Sequence, residues 1–76
     1  MKHFRDEIVI KAFGERVRFI RIEKGLTMEK LAAQCDMEYK QLARIEGGQV
    51  NTSISRAVSI AVALGVDIRE LLSIKN

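Results

Sequence analysis

The sequence predicts an all-α fold, a single compact domain of five short helices over residues 1–76, and three observations carry that expectation. The 76 residues include no proline, no tryptophan, one tyrosine and three phenylalanines. Leucine, isoleucine, valine and alanine are dense, a composition suited to a helical bundle rather than a sheet. Apolar residues recur at spacings of three and four along most of the chain, the period of a buried helix face. Glycines and small polar residues stand where such helices should stop and start. A chain of this length encloses one limited core, so a second domain is not expected.

The first helix carries residues 1–12 as an N-terminal extension. Met1 to Arg5 are expected to fray, and Asp6 can cap the ordered part. Ile10, Phe13, Val17 and Ile20 then fall on one core-facing stripe. A second apolar stripe, Ile8, Ala12, Phe19 and Ile22, has two readings. It packs against the chain's own N-terminal extension, or it forms part of a subunit interface, as sizeable exposed apolar patches do. Gly25 supplies the left-handed residue that ends this helix.

Thr27 to Glu46 reads as two helices joined by a tight turn. Thr27 is a good N-cap, and Glu29 in the first turn suits the helix dipole. Leu31, Ala32 and Cys35 form the inner face of the second helix, with Ala32 small enough for a close crossing. Asp36 and Met37 make the turn, and Asp tolerates the left-handed backbone better than most residues. Leu42 and Ile45 form the inner face of the third helix. Glu38 is a poor cap for it, although Gln41 can return a side-chain bond to the Glu38 N–H, half of a capping box. Gly47-Gly48 stops the helix. After a polar connector, Thr52 or Ser53 caps a fourth helix over 53–64, with Ile54, Ala57, Val58, Ala61 and Leu64 inward. Gly65 ends it. Asp67 and Glu70 form a capping box for a last helix over 68–74 carrying Ile68, Leu71 and Leu72.

In register over Phe13 to Leu72, these residues resemble the helix-turn-helix of the phage-repressor and Cro-type (Xre-like) DNA-binding family. The resemblance implies a lambda-repressor-like five-helix domain with its helix-turn-helix at 28–46. It further implies that the third helix enters the major groove of double-stranded DNA. Tyr39, Lys40, Gln41 and Arg44 would then meet base edges. Arg44 suits the O6 and N7 acceptors of guanine, and Tyr39 a thymine methyl or a phosphate. Thr27, Met28, Gly48, Gln49, Asn51 and Ser53 would contact the DNA backbone, partly through N–H groups at helix starts. Met28 stands where the family often has Gln, and Gln49 and Val50 where it often has Lys or Arg, so the electrostatic component should be modest. Arg21 and Glu46 match positions that pair in related repressors, tying the first helix to the end of the third and leaving Arg21 near the DNA backbone. Dimerisation is expected through Val62, Val66, Ile68, Leu72 and Ile74, with Phe19 and Ile22 as the competing surface.

No catalytic constellation emerges. His3 stands alone near the terminus, Cys35 has no histidine partner set by any pattern, and metal-ligand spacing and phosphate loops are absent. One cysteine permits no internal disulfide and fits a reducing compartment. The formal charge of +3 permits a nucleic-acid partner without demanding one. No stretch has the length of a membrane span or the pattern of a signal peptide, so the expected compartment is the cytoplasm. The expected function is that of a dimeric, sequence-specific transcriptional regulator on a short palindromic operator, a repressor or autoregulator without cofactor or metal. The alternative is a helical protein-interaction module, antitoxin-like, that keeps the fold but binds an unidentified protein partner instead of specific DNA.

Overall fold

A computed structural model of the chain describes the backbone of residues 2–73 and the side chains from Asp6 to Ser73. The described residues form α1 (Lys2–Glu23), α2 (Met28–Gln34), α3 (Tyr39–Glu46), α4 (Ile54–Leu64) and α5 (Ile68–Leu71). Each helix contributes one wholly enclosed side chain to the common core: Val17, Leu31, Leu42, Ile60 and Leu71 in turn. Burying an aliphatic side chain of this size contributes about 1.5–3 kcal/mol. The short helices α2, α3 and α5 therefore depend on this shared centre more than on their own propensity.

Local signals set most boundaries. Gly25 adopts φ 74°, and α1 closes with Gly25 N–H donating to Ile22 and Leu26 N–H to Arg21, the paired bonds of a left-handed C-cap. Thr27 Oγ1 accepts from Lys30 N–H at 3.1 Å, and Ser53 Oγ accepts from Arg56 N–H at 3.1 Å. Such caps contribute about 1 kcal/mol each. Asp36 takes the left-handed conformation of the inter-helix turn at φ 56°.

The structure corrects the sequence reading at several points. Helix α1 is continuous from Lys2, so Asp6 lies within it, exposed, and caps nothing. The extension is the same helix prolonged and cannot fold back over Phe19 and Ile22, which remain 55% and 53% exposed. In α4, Ile54 and Val58 face outward and Ile60 faces in. The apolar arc of α4 is wider than one face, and packing on α1, α2 and α5 selects Ala57, Ile60, Ala61 and Leu64. Gln41 does not close a box with Glu38, because its carbonyl oxygen accepts from Arg56. Glu38 leaves α3 without a side-chain cap. Asp67 caps α5 through Arg69 N–H at 2.8 Å rather than through a reciprocal box with Glu70. Helix α5 ends at Leu71, three residues short of the expected end, and leaves Leu72 exposed. Ile74 lies outside the described residues.

The seam between α1 and α3 positions the rest. Gly14, inside α1, is buried against the last turn of α3, where a Cβ would collide with the carbonyl oxygens of Ile45 and Glu46. Farther along, Gly48 (φ 69°) lies so close to α1 that a Cβ there would stand 2.9 Å from Lys11 Cα. Two glycines thus let the third helix and its exit loop rest directly on α1.

Candidate nucleic-acid interface

Helix α3 buries Leu42, Ile45 and Glu46. The 3.6-residue period then turns Lys40, Gln41 and Arg44 to the opposite side, where all three are exposed, with Tyr39 at the edge and 46% exposed. The four residues expected to read bases therefore share one solvent-facing row.

Behind that row, α3 is fastened by an ion pair. Arg21 Nε donates to Glu46 Oε2 at 2.7 Å, and Nη2 donates to Oε1 at 3.0 Å. Nη1 donates to the Leu26 carbonyl at 2.8 Å. Arg21 is 8% exposed and Glu46 7%. The bond to Glu46 pushes the Arg21 guanidinium still farther above its ordinary value. Bidentate geometry and a third bond offset the desolvation that two buried charges incur. Little of Arg21 remains open toward a DNA backbone.

The flanks are less generous than expected. Thr27 Oγ1 is occupied as a cap, although its hydroxyl hydrogen remains available to donate. Met28 is half-buried and packs against the core, which its thioether suits better than a phosphate. The N–H groups of Gly48 and Gln49 are not free. They donate to Ile45 at 3.1 Å and Arg44 at 2.9 Å in the C-cap of α3, which leaves Gln49 its exposed side-chain amide. Asn51 Oδ1 accepts from Thr52 N–H at 2.8 Å, leaving its amide N–H groups outward. Thr52 Oγ1 is buried without a hydrogen-bond partner among the described residues.

Two residues that sequence reasoning missed belong to this region. Gly14 sets how closely α3 approaches α1, and a lone glycine inside a helical pattern was the signal for it. Arg56, half-buried in the first turn of α4, donates from Nη1 to Gln41 Oε1 at 3.2 Å. Nothing local in the sequence indicates that partner.

Away from α3, the expected dimer residues divide. Val62 is 73% exposed and Leu72 is also exposed, whereas Val66 and Ile68 are half-buried against the core. Ile54, 84% exposed, and Val58 join Val62 at intervals of four along α4, which makes one outward apolar stripe. Phe19 and Ile22 stand on α1, with the Arg16 guanidinium 5.5 Å from the Phe19 ring centroid. Among the described residues there is no group of three or more His, Cys, Asp or Glu placed to hold a metal. No helix there is long and apolar enough to cross a membrane. Cys35 is buried with its Sγ 3.9 Å from the Ser59 carbonyl, and burial raises its thiol pKa.

Residues 14–76 match the family model described as a helix-turn-helix domain. The chain is 41% identical over 61 residues to control protein C.BamHI of Bacillus amyloliquefaciens, covering 79% of this chain and 75% of that protein. It is 34% identical over 59 residues to the immunity repressor protein of Bacillus phage phi105, covering 78% of this chain but 41% of the repressor. Among solved structures, the restriction-modification controller protein C.AhdI from Aeromonas hydrophila superposes with a TM-score of 0.79 at 35% identity, over 82% of this chain and 94% of that one.

Proposed function

Because the chain belongs to the helix-turn-helix family of DNA-binding transcription regulators, we propose that it acts as a homodimer on a short, roughly palindromic operator, repressing or autoregulating its own promoter in the cytoplasm. The observation that carries this reading is the outward row of Lys40, Gln41 and Arg44 on a helix braced from behind by Arg21 and Glu46. A rigid helix presenting a guanidinium and an ammonium is what major-groove readout needs. One such helix spans only a few base pairs, so a two-fold partner is required to read a whole operator. The stripe of Ile54, Val58 and Val62, with Leu72, gives that partner an apolar seat. Similarity to C.BamHI and C.AhdI over most of each chain favours a controller of the restriction–modification type over a phage repressor.

Fluorescence anisotropy with the DNA upstream of the protein's own gene, against a scrambled duplex at two salt concentrations, tests the proposal. Binding about 10³-fold or more tighter to the upstream DNA supports it. Arg44→Ala should then cost roughly 1–3 kcal/mol and flatten preference at one base pair. Equal binding to both duplexes, lost at moderate salt, reflects counterion release alone. That result favours a protein-interaction module, a reading supported by the uncapped α3, the inward Met28 and the spent N–H groups of Gly48 and Gln49.

A further inference from the structure

We infer that Arg56 sets the base preference of Gln41, turning it from a reader of adenine into a reader of guanine. The inference rests on the operator-binding function proposed above and goes beyond it. Arg56 is the third residue of α4, and its backbone is fixed there by Ser53 Oγ. From that position its guanidinium crosses to α3, where Nη1 donates to Gln41 Oε1 at 3.2 Å. The two side chains line one cleft between α3 and α4 together with Arg44, Asn51 and Ser53. Among the described residues no carboxylate pairs with Arg56, so the amide of Gln41 is its acceptor.

A glutamine amide has two N–H donors and an oxygen with two lone pairs, and it pairs with adenine by donating to N7 and accepting from the N6 amino group. Here Arg56 takes one lone pair of that oxygen. The hydrogens on Nε2 stay open, and the purine edge that offers only acceptors is that of guanine, N7 and O6. To read adenine, Gln41 would have to share Oε1 between Arg56 and the N6 amino group or turn it away from Arg56. The first brings a cation and an amino group of like polarity onto one oxygen, and the second leaves the guanidinium without its acceptor. Water excluded from the cleft by DNA makes this alternative costlier, since hydrogen bonds strengthen as the local dielectric falls. Arg56 is therefore a positioning residue that acts through Gln41.

The test uses the full chain and a panel of four operators differing only at the base pair facing Gln41, identified as the pair at which Gln41→Ala levels the four affinities. The wild type should prefer guanine over adenine there by about tenfold. Arg56→Met keeps the apolar stem and removes the donor. It should narrow that ratio at least about fivefold or invert it, while leaving preference at the Arg44-dependent pair unchanged. Arg56→Lys, which keeps a donor, should retain the guanine preference. If Arg56→Met does not fold, Arg56→Ala replaces it in the comparison.

With a specifically bound operator in hand, the inference is overturned by a wild-type preference for adenine, by no pair levelled by Gln41→Ala, or by an equal effect of Arg56→Met on all four operators. The last, with a salt slope reduced by about one, would make Arg56 a phosphate contact only. A wild type that binds no operator specifically removes the proposed function and this inference together. Specific binding with an unaltered ratio removes the inference alone.

Discussion

The guanidinium of Arg21 and the carboxylate of Glu46 meet edge to edge between α1 and α3, through bonds of 2.7 and 3.0 Å, with both residues more than nine-tenths buried. A third bond from Arg21 to the Leu26 carbonyl fastens the exit of α1 to the same pair. One arginine thus joins three segments at the C-terminal end of α3.

Removing one partner should be far worse than removing both. Glu46→Gln should lower unfolding free energy by about 3 kcal/mol, because it leaves a buried cation half-compensated. The double substitution Arg21→Met with Glu46→Leu should recover most of that loss. Urea denaturation of Arg21→Met, Glu46→Leu and the double variant measures the coupling. The raised Arg21 value keeps the guanidinium charged to far above neutral pH, its stabilisation being lost only as pH rises through that raised value. Arg21 should therefore contribute no pH dependence near neutrality.

Gly14→Ala and Gly25→Ala should separate two different reasons for glycine. At Gly14 a Cβ meets the backbone of Ile45 and Glu46, which cannot yield without moving α3. The expected cost is at least about 1–3 kcal/mol, with weakened operator binding as α3 shifts. At Gly25 a Cβ meets open space but the backbone is left-handed, so the cost should be near 1 kcal/mol with binding unchanged. Thermal melts and anisotropy together distinguish the two.

Val62→Glu and Ile54→Glu place charge on the outward stripe of α4, where the side chains are 73% and 84% exposed. Both variants should fold as stably as wild type, within about 0.5 kcal/mol, yet shift toward monomer in sedimentation and bind the operator more weakly. Phe19→Glu should leave the oligomer intact. The reverse pattern would assign the interface to α1.

Cys35 should make stability fall in alkali. Burial raises its folded value above the unfolded one. Below the ordinary thiol value both states are neutral and its contribution is fully present. As pH rises past that value the unfolded thiol ionises first and the contribution is lost. Stability measured from about pH 8 to about pH 10 should therefore drop more steeply for wild type than for Cys35→Ala.

Much of the molecule was legible because the signals were local. Thr27, Ser53, Gly25 and Gly65 mark helix ends by backbone conformation and capping, which neighbouring residues decide. The buried faces of α2 and α3 followed from spacing alone. Helix α4 was harder, since apolar residues cover more than half its circumference and only packing on α1, α2 and α5 settles that Ile60 faces in while Ile54 faces out. The row of Tyr39, Lys40, Gln41 and Arg44 came from the period of α3 combined with family resemblance. The partner of Gln41 did not, because Arg56 lies 15 residues away and reaches it only once α4 has docked. The extension was misjudged at Asp6, where a capping residue sits within a helix already running from Lys2.

The bare start of α3 has a last consequence. Glu38 gives no side-chain acceptor, so the first turn of this eight-residue helix holds backbone amides with no partner, while Arg21 grips its far end. Isotope exchange should find a gradient along those eight residues, fastest at Tyr39 and slowest toward Glu46. In the proposed complex α3 would meet the double helix held at its Glu46 end and uncapped at its Tyr39 end, and association would be felt first as a quieting of its opening turn.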